Sequence, residues 1–139
     1  MENCLARVTN HAEDVAKRTS EVRDAFRASV SVAESVYDST MRTAHIAFEA
    51  ACDAAIEASN DLDGAADLDR GIRCDVVDVK EKALSDYGLA KSKASDTHFS
   101  AMADARAKGF AGIYAIAEFN ARHFDAMLSR VPIGISSDD

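Results

Sequence analysis

The sequence predicts an all-α protein built from long antiparallel helices. Three observations lead to this prediction. The apolar residues, 47% of the chain, are largely alanine, the strongest helix former. The first sixty residues contain no glycine, and the single proline is Pro132. No segment alternates apolar and polar residues as a half-buried strand does, whereas apolar residues in the first half recur with a helical period.

The first half of the chain repeats every eleven residues. Eleven residues in three turns give about 3.67 residues per turn, which predicts a coiled-coil-like stripe that is nearly straight or slightly right-handed. We predict one continuous helix over residues 4–59, with charged residues on its opposite face. Its apolar face, here called the first-helix stripe, contains Val15, Val22, Phe26, Val30, Tyr37, Met41, Phe48 and Cys52.

Turn and break signals divide the second half. Residues 60–71 have turn chemistry, because Asn60 and Gly64 favour the left-handed conformation that ends helices. We expect a helical region over residues 72–130 and a tail over 132–139. Gly88 offers a further break, so two architectures stay open within one domain of residues 1–139: a long antiparallel helical hairpin, or an elongated three- to four-helix bundle.

An uncharged apolar segment, residues 109–117, lies within the second helical region. A helix that is apolar on all sides is expected to be covered on all sides. Two interpretations follow: the segment is the thickest part of an intramolecular core, or it makes an intermolecular contact. The predicted interaction surface consists of Ala105, Gly109, Phe110, Ile113, Tyr114, Ala117 and Phe124.

Composition argues against several classes of partner. The formal net charge of −8, without a basic stripe, argues against binding nucleic acid through its phosphates. No segment approaches the ~20 apolar residues of a membrane span, and the first residues lack the pattern of a signal peptide. Cys4, Cys52 and Cys74 form no short-spaced motif, so we expect a reducing compartment and a cytoplasmic protein.

Catalytic and metal-binding patterns are not recognisable. The chain has no nucleophile motif, glycine-rich phosphate loop or zinc pattern, so we predict neither an enzyme nor a cofactor. His45, Glu49 and Asp53 share one helix face, but the Glu-x-x-His pairs of bundle metal sites do not accompany them. His11 and His98 fall on apolar stripes, where we expect tolerated or hydrogen-bonded histidines and not metal ligands.

One short segment resembles a known family. Residues 117–127, Ala-Glu-Phe-Asn-Ala-Arg-His-Phe-Asp-Ala-Met, resemble a stretch of the phasins, the helical proteins that coat polyester storage granules. In that stretch, Glu-Phe is followed by a basic residue and Phe-Glu-Ala; the usual preceding Leu-Gln is absent here. The resemblance implies an all-helical, oligomer-forming protein that lays apolar stripes on a polymer surface.

The sequence leads to a functional hypothesis without an active site. We expect a non-enzymatic structural or scaffold protein that forms a homo-oligomer or docks on partner helices in a larger assembly. The alternative is a phasin-like amphipathic protein that coats an apolar granule or particle. Both hypotheses depend on apolar stripes that exceed what one pair of helices covers.

Overall fold

The fold consists of two long helices. The computed structural model describes residues 2–60 and 69–130, and the surroundings of side chains in residues 3–60 and 76–130. Helix α1 spans Glu2–Asn60 and helix α2 spans Asp69–Leu128; these described ranges contain no strand. The all-α prediction is confirmed, and two helices packed against each other fit the helical hairpin.

Helix α2 passes through two glycines at which the sequence offers a break. Gly71 and Gly88 lie inside α2, and no glycine in the described ranges has a positive φ. The predicted turn therefore does not extend to residue 71, and the break near Gly88 is corrected to continuous helix. A glycine inside a helix costs only about 1 kcal/mol relative to alanine, so packing of its neighbours can override it. Residues 61–68 of the predicted turn, and the tail, lie outside the described residues.

The chain divides into two compact units. Unit 1 contains Met1–Ser29 and Ala103–Asp139, and unit 2 contains Val30–Met102. Each unit therefore pairs a segment of α1 with a segment of α2.

In unit 2 the two helix segments run antiparallel. Tyr37 packs on His98 with ring centroids 5.3 Å apart, and Phe48 packs on Tyr87 at 5.6 Å. His98 Nδ1 donates a hydrogen bond to the Ala33 carbonyl oxygen at 3.4 Å. The contact residue with the higher number on α1 pairs with the lower number on α2, so the two segments run antiparallel.

In unit 1 the segments are also antiparallel. His11 lies against Asn120 and His123, whereas Phe26, further along α1, lies beside Gly109. In both units, residues of the first-helix stripe lie against α2.

The buried residues among those described are all small. They are Ala33, Ala55, Ala83, Ala94 and Ala105, and larger stripe residues stay half-buried. Alanine lets two helix backbones approach closely, but a unit only two helices deep covers each large side chain on one side only. Part of the apolar surface of each unit therefore stays exposed and is available for contact with a further helix.

Candidate interaction surface

The first-helix stripe is used within the chain. All eight of its residues, from Val15 to Cys52, are half-buried. Phe26, Tyr37 and Phe48, the aromatic residues at the eleven-residue spacing, all lie against α2. These positions are packing residues of the individual units.

Most of the predicted interaction surface is exposed. Phe110 is 67% exposed, Ile113 57%, Tyr114 75% and Phe124 55%, and Ala117 is also exposed. The intramolecular-core interpretation is therefore wrong for these side chains. The other two predicted residues lie inward: Ala105 is buried and Gly109 is half-buried.

The exposed residues form a second apolar stripe on α2. The residues that pack on α1 include Gly109, Gly112 and Ile116, and the exposed stripe follows one position later. One residue turns an α-helix by about 100°, so this second stripe lies beside the packed face and not opposite it. We call it the α2 ridge; its members are Phe110, Ile113, Tyr114, Ala117, Ala121, Phe124 and Leu128.

An apolar groove runs beside the ridge in unit 1. Its volume is about 350 Å³, and its floor is formed by Val22 and Phe26 of α1 and Gly109 and Ile116 of α2. Ile113 of the ridge also lines it. Such a volume is at the lower end of the ~300–1,000 Å³ found for ligand sites, and the groove is partly open to solvent. An open apolar trough next to an apolar ridge suits a helix better than a small molecule.

Two arginines stand at the groove. Arg23 comes from α1 and Arg106 from α2. Neither forms an ion pair within 4.0 Å with a carboxylate of the described side chains. Neither has an acidic residue three or four positions away, the distance at which residues on one helix face meet. The groove therefore combines an apolar floor with two positive charges.

Close helix approach beside the groove depends on Gly112. A Cβ atom added at Gly112 would lie 2.7 Å from Val22 Cγ2 and 3.0 Å from Val22 Cγ1. At Gly109 the added atom would lie 3.5 Å from Phe26 Cδ2, an ordinary van der Waals distance. Because valine is held to essentially one χ1 rotamer in a helix, Val22 cannot swing aside. Gly112 is thus required by packing.

An aromatic and histidine cluster completes unit 1. The rings of His11 and His123 stack with centroids 3.5 Å apart and an interplanar angle of 3°. His11 Nε2 donates a hydrogen bond to Asn120 Oδ1 at 2.8 Å, and the Arg18 guanidinium lies 3.9 Å above the Phe119 ring. The expectation that His11 and His98 are hydrogen-bonded histidines is confirmed.

Two of the residues considered as metal ligands contact each other. His45 Nε2 lies 3.1 Å from Glu49 Oε1 on an exposed face of α1. No group of three or more His, Cys, Asp or Glu side chains within residues 3–60 and 76–130 is arranged to hold a metal ion. Neither α1 nor α2, over the part of the chain described, is long and apolar enough to cross a membrane.

The sequence reasoning missed the regularity of α2. Its packed residues keep the eleven-residue spacing beyond Ala105, but several are glycine or polar, so they do not appear apolar in the sequence. The spacing is the signal in the sequence, because packed residues of α2 recur eleven positions apart, as Gly109 and Asn120 do. The packed residues beyond Ala105 include Gly109, Gly112, Ile116, Asn120, His123 and Met127.

Comparison of the chain with protein-family models, with curated proteins and with solved structures finds no match. The resemblance of residues 117–127 to phasins therefore stays a prediction from the sequence.

Proposed function

We propose that this protein is a non-enzymatic assembly scaffold that associates with other helices through the α2 ridge. The observation that carries this proposal is the outward position of four large apolar side chains on one helix: Phe110, Ile113, Tyr114 and Phe124 are each more than half exposed. Contiguous apolar surface of this kind is rare on monomers and is typical of interaction sites.

The physical argument concerns what two helices can cover. In unit 1, α1 covers the packed face of α2 and leaves the adjacent ridge in contact with water. Burial of one large side chain of this type contributes roughly 1.5–3 kcal/mol. A helix from a second copy or from another protein would recover that free energy, and anchors of this kind dominate protein interfaces.

Paired substitutions test the proposal. We expect Phe110→Ser to weaken self-association roughly 10- to 100-fold, because it removes one aromatic anchor. Leu89→Ser is the matched control, since Leu89 is 68% exposed on the same helix but lies off the ridge. Sedimentation velocity at several chain concentrations measures both. Equal association by the two variants would contradict a role for the ridge.

The second candidate function is a coat on an apolar particle, as the phasin resemblance implies. The same ridge supports it, because an amphipathic helix can lay an exposed apolar stripe on a wide surface. Binding of the chain to apolar polymer beads at low salt, with loss of binding by Phe110→Ser and not by Leu89→Ser, would support a coat. An absence of bead binding by the unmodified chain would contradict it.

A further inference from the structure

We infer that the groove of unit 1 receives the α2 ridge of a second copy of this chain, packed antiparallel about a two-fold axis at Ala117. This inference deepens the proposed self-association and rests on it. Homo-oligomers most often have two-fold symmetry, and such an interface requires one surface that is complementary to itself. The ridge and the groove lie side by side on the same surface, so each copy offers both parts.

Five of the seven ridge residues are placed symmetrically about Ala117. Phe110 and Phe124 each lie seven residues from Ala117, and Ile113 and Ala121 each lie four residues from it. An antiparallel two-fold axis at Ala117 therefore places Phe110 opposite Phe124 of the second copy. It places Ile113 opposite Ala121, a large side chain against a small one, and Ala117 against itself. Small residues at the axis allow the two helices to approach closely.

The same axis fills the groove. On α2 the groove extends from Arg106 to Ile116, and the two-fold operation brings residues 118–128 of the second copy to that level. The ridge residues in this range include Phe124 and Leu128, both exposed in the single chain. Their side chains would occupy the apolar volume of about 350 Å³ above Gly109.

The charges agree with this arrangement. At this register Asp125 of the second copy lies level with Gly109, within one turn of Arg106. The two arginines have no carboxylate partner among the described side chains, and Asp125 forms no ion pair there either. Complementary charges at the edge of an apolar contact fix its register and favour the correct partner.

The exposed aromatic side chains supply about half of the area that a stable dimer needs. Aromatic side chains bury about 150–250 Å² each when covered, so the exposed parts of Phe110, Tyr114 and Phe124 supply about 400 Å². A stable interface needs about 800 Å² from each partner. In the proposed dimer the rest of the buried area comes from Ile113, Leu128, the alanines and the walls of the groove. The ridge is therefore in contact over its whole length.

Disulfide trapping tests the axis directly. Only a residue near a two-fold axis lies close enough to its own counterpart for a disulfide, which requires Cα atoms about 4.4–6.8 Å apart. In a chain carrying Cys4→Ser, Cys52→Ala and Cys74→Ser, we place a single cysteine by Ala117→Cys. The matched control is Ala111→Cys, an exposed alanine of the same helix on a different face. Circular dichroism verifies that both variants keep the helical fold.

We expect Ala117→Cys to form covalent dimers in oxidised glutathione at least roughly tenfold faster than Ala111→Cys. Light scattering of both variants under reducing conditions separates the two claims. If the chains self-associate but Ala117→Cys is not the faster, the axis at Ala117 is wrong and the proposed self-association stands. If both variants have a mass of 14.9 kDa at every concentration, the inference and the proposed self-association both fail, and only docking on helices of another protein is left.

A charge exchange checks the register independently. Arg106→Asp and Asp125→Arg are each expected to weaken dimerisation roughly three- to tenfold, and the double variant is expected to recover most of that loss. Recovery would support the pairing of these two residues across the interface. Additive weakening in the double variant would overturn the pairing.

Discussion

Gly112→Ala is the most direct test of the helix packing in unit 1. The substitution adds one methyl group at a point where Val22 Cγ2 would lie only 2.7 Å away. Alanine favours a helix over glycine by about 1 kcal/mol, so without the contact the variant would be more stable than the natural chain. Overpacking of a fitted contact costs about 1–3 kcal/mol. The net expectation is a loss of up to about 2 kcal/mol.

Two other glycines of the same helix provide the comparison. A Cβ atom added at Gly88 has no heavy atom within 4 Å, so Gly88→Ala should gain close to the full helix-propensity term of about 1 kcal/mol. Gly109→Ala meets Phe26 at ordinary contact distance and should be neutral or stabilising. We expect Gly112→Ala to be less stable than Gly88→Ala by about 1–3 kcal/mol.

Urea unfolding followed by far-ultraviolet circular dichroism measures these differences. All variants must be compared at one chain concentration, because self-association stabilises the folded state by mass action. Val22→Ala should relieve the clash, so a double-mutant cycle of Val22→Ala with Gly112→Ala should give a favourable coupling of about 1–2 kcal/mol. Equal stability of Gly112→Ala and Gly88→Ala, or a coupling of zero, would refute the close approach at Gly112.

Three further changes test the remaining contacts by urea unfolding. Phe48→Ala should lower the free energy of unfolding by about 1–3 kcal/mol because the ring is half-buried. The control Phe99→Ala, at a side chain 75% exposed, should lower it by less than about 0.5 kcal/mol. Equal losses would contradict the burial of the first-helix stripe. Asn120→Ala should cost about 1 kcal/mol because it removes the acceptor for His11, and no loss would show that water replaces it. Lys82→Ala should change stability by less than about 0.5 kcal/mol, since its ion pair is exposed, and a larger loss would reveal an additional contact.

The helices and the packed face of α1 could be predicted from the sequence for clear physical reasons. Without a glycine or proline in the first sixty residues, nothing interrupts α1. Its aromatic residues keep the eleven-residue spacing, so the stripe with Phe26, Tyr37 and Phe48 is visible. The continuity of α2 through Gly88 was not predictable with the same certainty. A glycine lowers helix stability by about 1 kcal/mol, and packing of the neighbouring residues decides whether the helix continues through it. At Gly88 these neighbours include the half-buried residues Tyr87 and Ala90.

The candidate site was only partly predictable. The sequence shows that residues 109–117 are apolar on all sides, but it does not show which side a second helix covers. The packing of Gly112 against Val22 decides this, because it turns Gly112 toward α1 and leaves Phe110 and Tyr114 outward. Because glycine has no side chain, a hydrophobic pattern does not show whether a glycine is buried. The two arginines at the groove were also missed, because charged residues on a helix usually indicate a solvated face.

The solution mass of the unmodified chain tests the central claim most directly. Light scattering coupled to size-exclusion chromatography, over a wide range of chain concentrations, distinguishes a monomer of 14.9 kDa from any assembly. We expect a mass of at least twice that value, which Phe110→Ser lowers toward the monomer mass and Leu89→Ser does not. A monomer mass at every concentration would contradict self-association through the α2 ridge.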